Sequence, residues 1–179
     1  MLKVICKDIF VDITSPIDVC HLSSIEKFDL TVDIDEDHGH IQISNDNLQK
    51  LFQIFSNITH LKATYLNSDT VRTLLNNCPS LEGLTLCDCP DIGQDAFNSI
   101  PLLNNMKALS IIGTYINDNV LKAIVQNTPN LEHLSVQQSV YVTDVGFSFV
   151  GVHCKKLKCL IIEKYAYSKG RNITNIGID

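Results

Sequence analysis

The sequence predicts an α/β fold built as a right-handed solenoid, in which a parallel sheet lines the concave face and helices cover the convex face. Three observations favour this fold class. An apolar pattern of six residues returns along the chain at a nearly constant interval. A second short motif follows each copy of the pattern, and residues with helical apolar spacing follow the second motif. Such internal repetition is typical of proteins whose units stack in one direction.

The apolar pattern is most complete at Leu81-Glu-Gly-Leu84-Thr-Leu86-Cys-Asp-Cys89, which reads L-x-x-L-x-L-x-x-C. Related copies begin at residues 25, 58, 106, 131 and 157. From residue 58 onward the copies lie 23 to 26 residues apart, within the roughly 20–29 residues that a leucine-rich repeat spans. An alternation of this kind predicts a short strand whose leucines face a hydrophobic core.

The second motif reads Val142-Thr-Asp-Val-Gly-Phe147 and Ile116-Asn-Asp-Asn-Val-Leu121, with looser copies at residues 43–48, 92–97 and 173–178. Apolar residues then recur at helical spacing, as at Leu121, Ile124 and Val125. Pro79 and Pro129 mark where two of these helices stop, because proline has no N–H to donate. Each unit is therefore predicted to be a strand, a turn and a helix, and stacking gives the units a common core.

The combined pattern resembles the cysteine-containing subtype of leucine-rich repeat over residues 25–179. In that subtype L-x-x-L-x-L-x-x-C is followed by I-T-D-x-G-L and by a helix that ends in C-P-x-L. The subtype is best known from F-box/leucine-rich-repeat proteins, which are substrate receptors of cullin-based ubiquitin ligases. The resemblance implies a module that recognises proteins. It implies a ligase adaptor as a partner only if an F-box exists outside this chain.

The sequence departs from that subtype at its cysteine positions and at its start. At the position after the strand only Cys89 is a cysteine. The equivalent residues in three other units are Thr114, Ser139 and Tyr165. At the helix end, Cys78 and Cys154 keep the cysteine, whereas Thr128 replaces it in the unit between them. Residues 1–40 show no Leu-Pro-x-Glu-Ile-Leu opening and no run of amphipathic helices. No F-box is therefore predicted in them.

We expect one domain over residues 1–179, made of about six to seven repeats. The predicted bounds are 1–24 (partial), 25–57, 58–80, 81–105, 106–130, 131–156 and 157–179 (partial). Leu2-Lys-Val4 aligns with Phe28-Asp-Leu30, and a further motif begins at Ile173, so the chain is expected to open and close inside repeats. The unit 25–57 is longer than the others because of an acidic insertion at residues 32–40, which is predicted to form a loop.

Composition and charge argue against several classes of function. The chain has 179 residues, of which 45% are hydrophobic and 19% charged, as in an ordinary globular domain. Its formal net charge of -6 repels phosphate backbones, so no nucleic-acid partner is expected. No apolar run approaches the ~20 residues of a membrane span, and no signal-peptide layout is present, so no membrane partner is expected. Seven scattered cysteines indicate a reducing compartment, the cytoplasm or the nucleus.

Three groups of residues raise the alternative of a chemically active site. The insertion 32–40 holds four acids and two histidines that could bind a metal, although their spacing matches neither an EF-hand loop nor a zinc signature. Three cysteines within residues 78–89 could suggest zinc, which needs four ligands. His153 beside Cys154 could suggest a nucleophile, but sequence neighbours rarely form a catalytic pair. We expect a solvated loop and core cysteines, hence no catalytic residue, no metal and no cofactor.

The residues between the strand leucines are predicted to point to the concave face, away from the core. The predicted protein-binding residues form two rows, which are Lys62, Thr85, Ser110, Ser135 and Ile161, and Thr64, Cys87, Ile112, Gln137 and Glu163. They are mostly small, neutral or apolar, which suits a protein or peptide ligand. An anion would need clustered arginine or lysine. His60 and His133 precede strand leucines at matching positions, which repetition explains without catalysis.

Two functions remain, and neither is enzymatic. The first is the substrate-recognition part of an F-box-type ubiquitin-ligase receptor, with a protein or peptide ligand on the concave face. The alternative is a ligase-independent leucine-rich-repeat scaffold or regulatory protein. An F-box outside this chain would favour the first function, because the ligase adaptor binds through it.

Overall fold

The computed structural model describes residues 2–3, 26–30, 45–98, 100–139 and 141–163. The strands are β1 (Leu2–Lys3), β2 (Lys27–Leu30), β3 (His60–Thr64), β4 (Gly83–Cys87), β5 (Ala108–Ile112), β6 (His133–Gln137) and β7 (Cys159–Glu163). The helices are α1 (Asn45–Ile54), α2 (Ser68–Asn77), α3 (Asp118–Asn127) and α4 (Asp144–His153), and a 3₁₀ turn spans Gln94–Ala96. The predicted insertion 32–40, most of the partial repeat 1–24, Tyr165 and the motif 173–178 lie outside the described residues.

The seven strands form one parallel sheet, in which β1 to β7 follow one another in chain order. Successive Cα partners in the register are Leu61, Leu84, Leu109, Leu134 and Leu160. The alignment of the apolar pattern across units is thereby confirmed, and so is the alignment of Leu2 with Phe28. Helices alternate with these strands from β3 onward in most units, which confirms the predicted α/β class with a parallel sheet.

One face of the sheet packs against the helices and holds the core. Leu86 and Ile111, which belong to strands, are no more than 1% exposed. They share one hydrophobic cluster with helix residues such as Leu74 and Leu121. Burying a side chain of this size stabilises the fold by about 1.5–3 kcal/mol, so this face fixes the position of the strands. We refer to the opposite face of the sheet as the open face.

Local sequence sets where the helices begin and end. The caps at the helix starts are the side chains of Asn67, Asn117 and Thr143, each of which accepts a hydrogen bond from the first helical turn. The last helical residues are Asn77, Asn127 and His153, beside the predicted stops. Thr128 Oγ1 donates to the Ile124 carbonyl at 3.0 Å. Thr128 therefore occupies the buried helix-end position that Cys78 and Cys154 occupy in other units. Its hydroxyl is paired there, although the position is buried.

The residue after each strand links neighbouring units by hydrogen bonds. Cys89 Sγ accepts the N–H of Leu66 at 3.3 Å, and the N–H of Cys89 donates to Thr114 Oγ1 at 3.2 Å. Ser139 Oγ donates to the Thr114 carbonyl at 2.8 Å. All of these side chains are buried. Threonine and serine thus keep buried backbone groups paired, which explains why the cysteine pattern is not maintained at these positions.

The unit 81–105 differs from the prediction, because no α-helix lies among its described residues. Its strand is followed by the 3₁₀ turn Gln94–Ala96. Pro101 has no N–H and its ring clashes with the preceding helical turn, so an α-helix that begins at this turn is stopped early. Phe97 and Leu103 fill the corresponding part of the core and are at most 6% exposed.

A residue in left-handed conformation follows four successive strands. These residues are Tyr65, Asp88, Gly113 and Gln138, with φ values of 57°, 49°, 63° and 60°. A Cβ at Gly113 would also lie 2.2 Å from Asp88 Oδ1. Both the backbone conformation and the close approach therefore favour glycine at this turn. The turns lead each strand into the loop before the next helix or 3₁₀ turn.

Candidate functional site

The open face presents three rows of side chains, because successive strand residues alternate between core and solvent. The first row is His60, Gly83, Ala108, His133 and Cys159. The second row is Lys62, Thr85, Ser110, Ser135 and Ile161. The third row is Thr64, Cys87, Ile112, Gln137 and Glu163. The register thus brings together the second and third rows, which are the two predicted rows.

The predicted residues differ in how much surface they present. Lys62, Ile161 and Glu163 are exposed, and the six residues on β4, β5 and β6 are half-buried. Thr64 is the least exposed of the predicted residues, since only 7% of its surface is exposed. Strand alternation gives the side of the sheet on which a residue lies, but not how the surrounding chain covers it. Thr64 therefore contributes little surface for a ligand.

Strand β7 is also less covered than the sequence predicts. Ile162 lies at a position predicted to face the core, yet 37% of its surface is exposed, and Leu160 is only half-buried. Among the described strands β7 is the last in the sheet order, so one of its edges has no neighbouring strand there. The inner strands, by contrast, have a described neighbour on both sides.

A groove of about 320 Å³ crosses the open face from β3 to β7, along the first and second rows. Gly83 and Ala108, which are small, lie between His60 and His133 in the first row. A Cβ at Gly83 would lie 2.7 Å from Cδ2 of His60, so the imidazole ring rests directly on the glycine and covers it. The small side chain of Ala108 therefore leaves a notch between the His60 ring and His133.

Hydroxyl groups give this groove hydrogen-bonding capacity without adding charge. Thr85, Ser110 and Ser135 are partners in register along the second row. Ser135 Oγ accepts from Gln137 Nε2 at 2.7 Å, which leaves the hydroxyl proton of Ser135 to donate elsewhere. Lys62 supplies a cationic side chain at the β3 end of the row. The middle of the groove can therefore pair with neutral polar groups such as peptide amides.

A neighbouring threonine sets the hydrogen position on His60. Thr59 Oγ1 donates its proton to the Glu26 carbonyl at 2.9 Å. The same oxygen lies 3.0 Å from Nδ1 of His60 and can only accept there, so Nδ1 carries a hydrogen. In the neutral ring Nε2 is then the acceptor. His60 thus offers an acceptor for an N–H group of a ligand.

The prediction from the sequence omits the first row, although this row supplies the notch and its walls. The alternation x-L-x-L-x that places residues 62 and 64 on the open face also places residue 60 there. The signal was therefore present in the pattern. Repetition explains why His60 and His133 occupy matching positions, but it does not reveal that small residues separate them across the sheet.

The two ends of the strands differ in charge. We define the amino-end rim as residues 79–82, 104–107, 129–132 and 155–158, which lead into β4 to β7. In this rim Lys107 Nζ lies 2.8 Å from Glu82, and Lys158 Nζ lies 2.7 Å from Glu132. Hydrogen bonds from the two lysines lower the pKa of both glutamates. The rim also contains Lys155 and Lys156, so its four lysines outnumber its two glutamates and its net charge is +2.

We define the carboxyl-end rim as residues 65–68, 88–94, 113–118, 138–139 and 141–144, which follow β3 to β6. Its charged residues are Asp88, Asp91, Asp118 and Asp144, and Glu163 ends β7 on the same side. These described segments contain no lysine, arginine or histidine. Tyr115 and Tyr141 are 57% and 48% exposed, and their rings form a T-shaped pair with centroids 6.3 Å apart. Burial, and then the nearby Asp88 carboxylate, raises the pKa of Tyr65. The carboxyl-end rim is thus acidic and partly aromatic.

Comparison with known proteins gives a distant likeness. No family model matches the chain. The chain is 31% identical over 116 residues to F-box/LRR-repeat protein 4 from Bos taurus. The match covers 64% of this chain and 18% of that protein, so the chain spans less than a fifth of the relative's length. The likeness supports a leucine-rich-repeat relationship, in agreement with the parallel sheet and alternating helices.

No helix among the described residues is long and apolar enough to cross a bilayer. The same residues contain no group of three or more His, Cys, Asp or Glu side chains placed to hold a metal ion.

The described cysteines fall into two classes of exposure. Cys78, Cys89 and Cys154 are buried, whereas Cys87 and Cys159 are half-buried on the open face. Burial raises the pKa of Cys78 to about 11 and that of Cys89 to about 12, from an ordinary value of 9.0. Because the fold favours their protonated form, the stability they contribute is present below pH 9 and is lost as the pH rises toward these values.

We expect a maleimide reagent to modify Cys87 and Cys159 at least about tenfold faster than Cys78 and Cys89 in the native protein near neutral pH, because only an accessible thiolate reacts. Peptide mapping by mass spectrometry at increasing reaction times measures the four rates. In a urea-denatured control all four should react at similar rates. Equal rates in the native protein would contradict the burial of Cys78 and Cys89.

Proposed function

We propose that this chain is a right-handed leucine-rich-repeat solenoid, shaped as a horseshoe, with the open face on its concave side. Residues 1–179 form one domain of six to seven repeats. The domain binds a protein or peptide ligand on the open face, as the substrate-recognition part of an F-box-type ubiquitin-ligase receptor. It acts without a catalytic residue, in the cytoplasm or the nucleus, and neither nucleic acid nor a membrane is its partner.

The groove across β3 to β7 is the observation that carries this proposal. It crosses several units, so a ligand that fills it is extended along the sheet, as a peptide segment is. The hydroxyl groups of Thr85, Ser110 and Ser135 can pair with peptide N–H and C=O groups. Because the middle of the groove carries no charge, the part of the ligand that lies there needs no charge either. The likeness to F-box/LRR-repeat protein 4 supports the same assignment.

The proposed binding surface combines the predicted residues with the first row. Its members are Lys62, Thr85, Cys87, Ser110, Ile112, Ser135, Gln137, Ile161 and Glu163, together with His60, Gly83, Ala108, His133 and Cys159. Ser110 lies in the groove at its centre, and Ile112 borders it on the same strand. Both are half-buried, so a large charged side chain at either position would project into the ligand's space.

Ile112→Arg and Ser110→Arg are each expected to weaken partner binding by about tenfold or more, because an unpaired charge would be buried at the interface. Val152→Arg is the matched control, since Val152 is 60% exposed and lies on α4, a helix that packs on the other face of the sheet. Capture from cell lysate followed by quantitative mass spectrometry compares the three variants with the original chain. Partners retained equally by all three variants would contradict binding on the open face.

The alternative function is a ligase-independent scaffold or regulatory protein. Co-precipitation of the ligase adaptor with the longest product of the gene distinguishes the two. Adaptor capture, together with a partner that is lost in Ile112→Arg, favours the receptor. A partner lost in Ile112→Arg without any adaptor capture favours the scaffold. Only the first outcome assigns ubiquitin transfer to the bound partner.

A further inference from the structure

The charges around the groove indicate the charge of the ligand that it binds. This inference rests on the proposed function. The groove is lined by no carboxylate. Lys62 is its one ammonium group and lies at the β3 end. In the amino-end rim two lysine–glutamate pairs offset each other, and Lys155 and Lys156 leave that rim with a positive charge. Neither the groove nor the amino-end rim therefore attracts a cation.

The carboxyl-end rim provides the selection. Asp88 and Asp91 are exposed there, and Glu163 is exposed at the end of β7. Asp118 differs from them, because its carboxylate already accepts hydrogen bonds from Thr143 and Gly146. The three exposed carboxylates therefore present negative charge along one side of the groove. The net charge of -6 adds a long-range attraction for cations.

The exposed tyrosines of this rim suit the same ligand. Tyr115 and Tyr141 form an edge-to-face pair whose rings are about half exposed. An aromatic face binds a guanidinium or ammonium group, and exposed aromatic residues are frequent anchors of protein interfaces. Asp88 lies three residues, about 10 Å, beyond Thr85 of the groove. A long side chain of a ligand in the groove can therefore extend toward the carboxyl-end rim.

We infer that the groove holds an extended, cationic segment of a partner protein. A small or apolar side chain of the segment lies in the notch over Ala108, and neighbouring lysine or arginine side chains reach the carboxyl-end rim. The five strands from β3 to β7 span about 19 Å, the length of roughly six extended residues. The recognition motif is therefore short, with cations on one side of an uncharged centre.

Selection of phage-displayed random 12-residue peptides on the purified full chain tests this inference. The enriched peptides are expected to contain lysine and arginine in excess over the starting library, beside a small or apolar residue. The best sequence is then synthesised with a fluorophore, and its affinity is measured by anisotropy. Its lysines and arginines are next replaced by glutamine, which should weaken binding about tenfold at low ionic strength and less at high salt.

Variants of the chain locate the effect. Asp88→Asn, Asp91→Asn and Glu163→Gln combined should weaken the peptide about tenfold. Asn suits position 88 because it tolerates the left-handed backbone found there. The matched control combines Asp46→Asn, Asp69→Asn and Asp95→Asn, three exposed acids outside the rim that give the same change in net charge. This control should change the affinity less than twofold.

The outcomes separate the two proposals. Neutral or acidic selected peptides that Ser110→Arg blocks would overturn the cationic ligand and leave the proposed function standing. Equal losses in the two triple variants would also overturn it, because general charge attraction would then explain the affinity. Selected peptides that Ser110→Arg and Ile112→Arg both leave unaffected would overturn the proposed function itself.

Discussion

Leu86→Ala is expected to lower the free energy of unfolding by about 3 kcal/mol, within the roughly 2–5 kcal/mol measured for large-to-small changes in well-packed cores. Leu86 lies at the centre of the sheet on β4, is 0% exposed, and packs in the main hydrophobic cluster. Alanine removes most of its buried apolar surface and leaves a cavity between units. Urea unfolding followed by circular dichroism measures the change as a lower transition midpoint.

Leu102→Ala is the matched control for this change. The same atoms are removed, but Leu102 is 57% exposed, so the free energy of unfolding should shift by less than about 0.5 kcal/mol. If the two substitutions had equal effects, the packing of β4 against the helices would be wrong. A further check is that the Leu86 variant keeps its secondary structure at low urea, since one cavity does not remove the repeat.

Asp118→Ala is expected to lower the free energy of unfolding by about 2–3 kcal/mol, because it leaves partly buried donors without an acceptor. Asp118 Oδ1 accepts the N–H groups of Thr143 at 2.8 Å and Gly146 at 3.1 Å. Oδ2 accepts from Thr143 Oγ1 at 2.7 Å. Through these hydrogen bonds the first residue of α3 fixes the position of the first turn of α4. Thermal and urea unfolding of the purified variant measure the loss.

Asp69→Ala serves as the control, since Asp69 is also an aspartate in a first helical turn but is exposed and pairs with Arg72 at the surface. It should cost less than about 1 kcal/mol, as surface pairs and helix-end charges do. If Asp69→Ala were as destabilising as Asp118→Ala, the effect would come from the helix end in general and not from the link between units.

A double-mutant cycle with Gly146→Ala isolates the contact further. A Cβ at Gly146 would lie 2.4 Å from Asp118 Oδ1, so alanine displaces the carboxylate from its donors. Gly146→Ala should therefore destabilise the original chain clearly and the Asp118→Ala chain much less. Additive effects would show that the two positions do not interact.

The repeating pattern predicts most of the fold because each element is specified locally. Strand positions follow from apolar alternation, and two helix ends follow from Pro79 and Pro129. The pattern fails in the unit 81–105, where Pro101 stops a helix that the motif at residues 92–97 predicts. In that unit the local rule for proline outweighs the motif, and the motif alone does not reveal it.

The candidate site is predicted less completely, because it depends on residues that meet across strands. Alternation assigns Ser110 and Ile112 to the open face, but only the register shows that the His60 ring covers Gly83 and leaves the notch at Ala108. The exposure of a strand residue also depends on chain segments that are distant in sequence, as the burial of Thr64 shows. Pattern analysis treats each unit separately, whereas a binding groove is a property of several units together.

The order of the strands has a consequence for how the molecule loosens. Among the described strands, each is bonded only to its neighbours in chain order, and no distant strand pairing closes this part of the array. Opening can start at an outer strand and advance one unit at a time, which makes partial unfolding easier than in a fold with long-range closure. A segment that lies across several strands would act as a clamp, because each unit it touches must release it before opening. Ligand binding would therefore raise the cooperativity of the array as well as its stability.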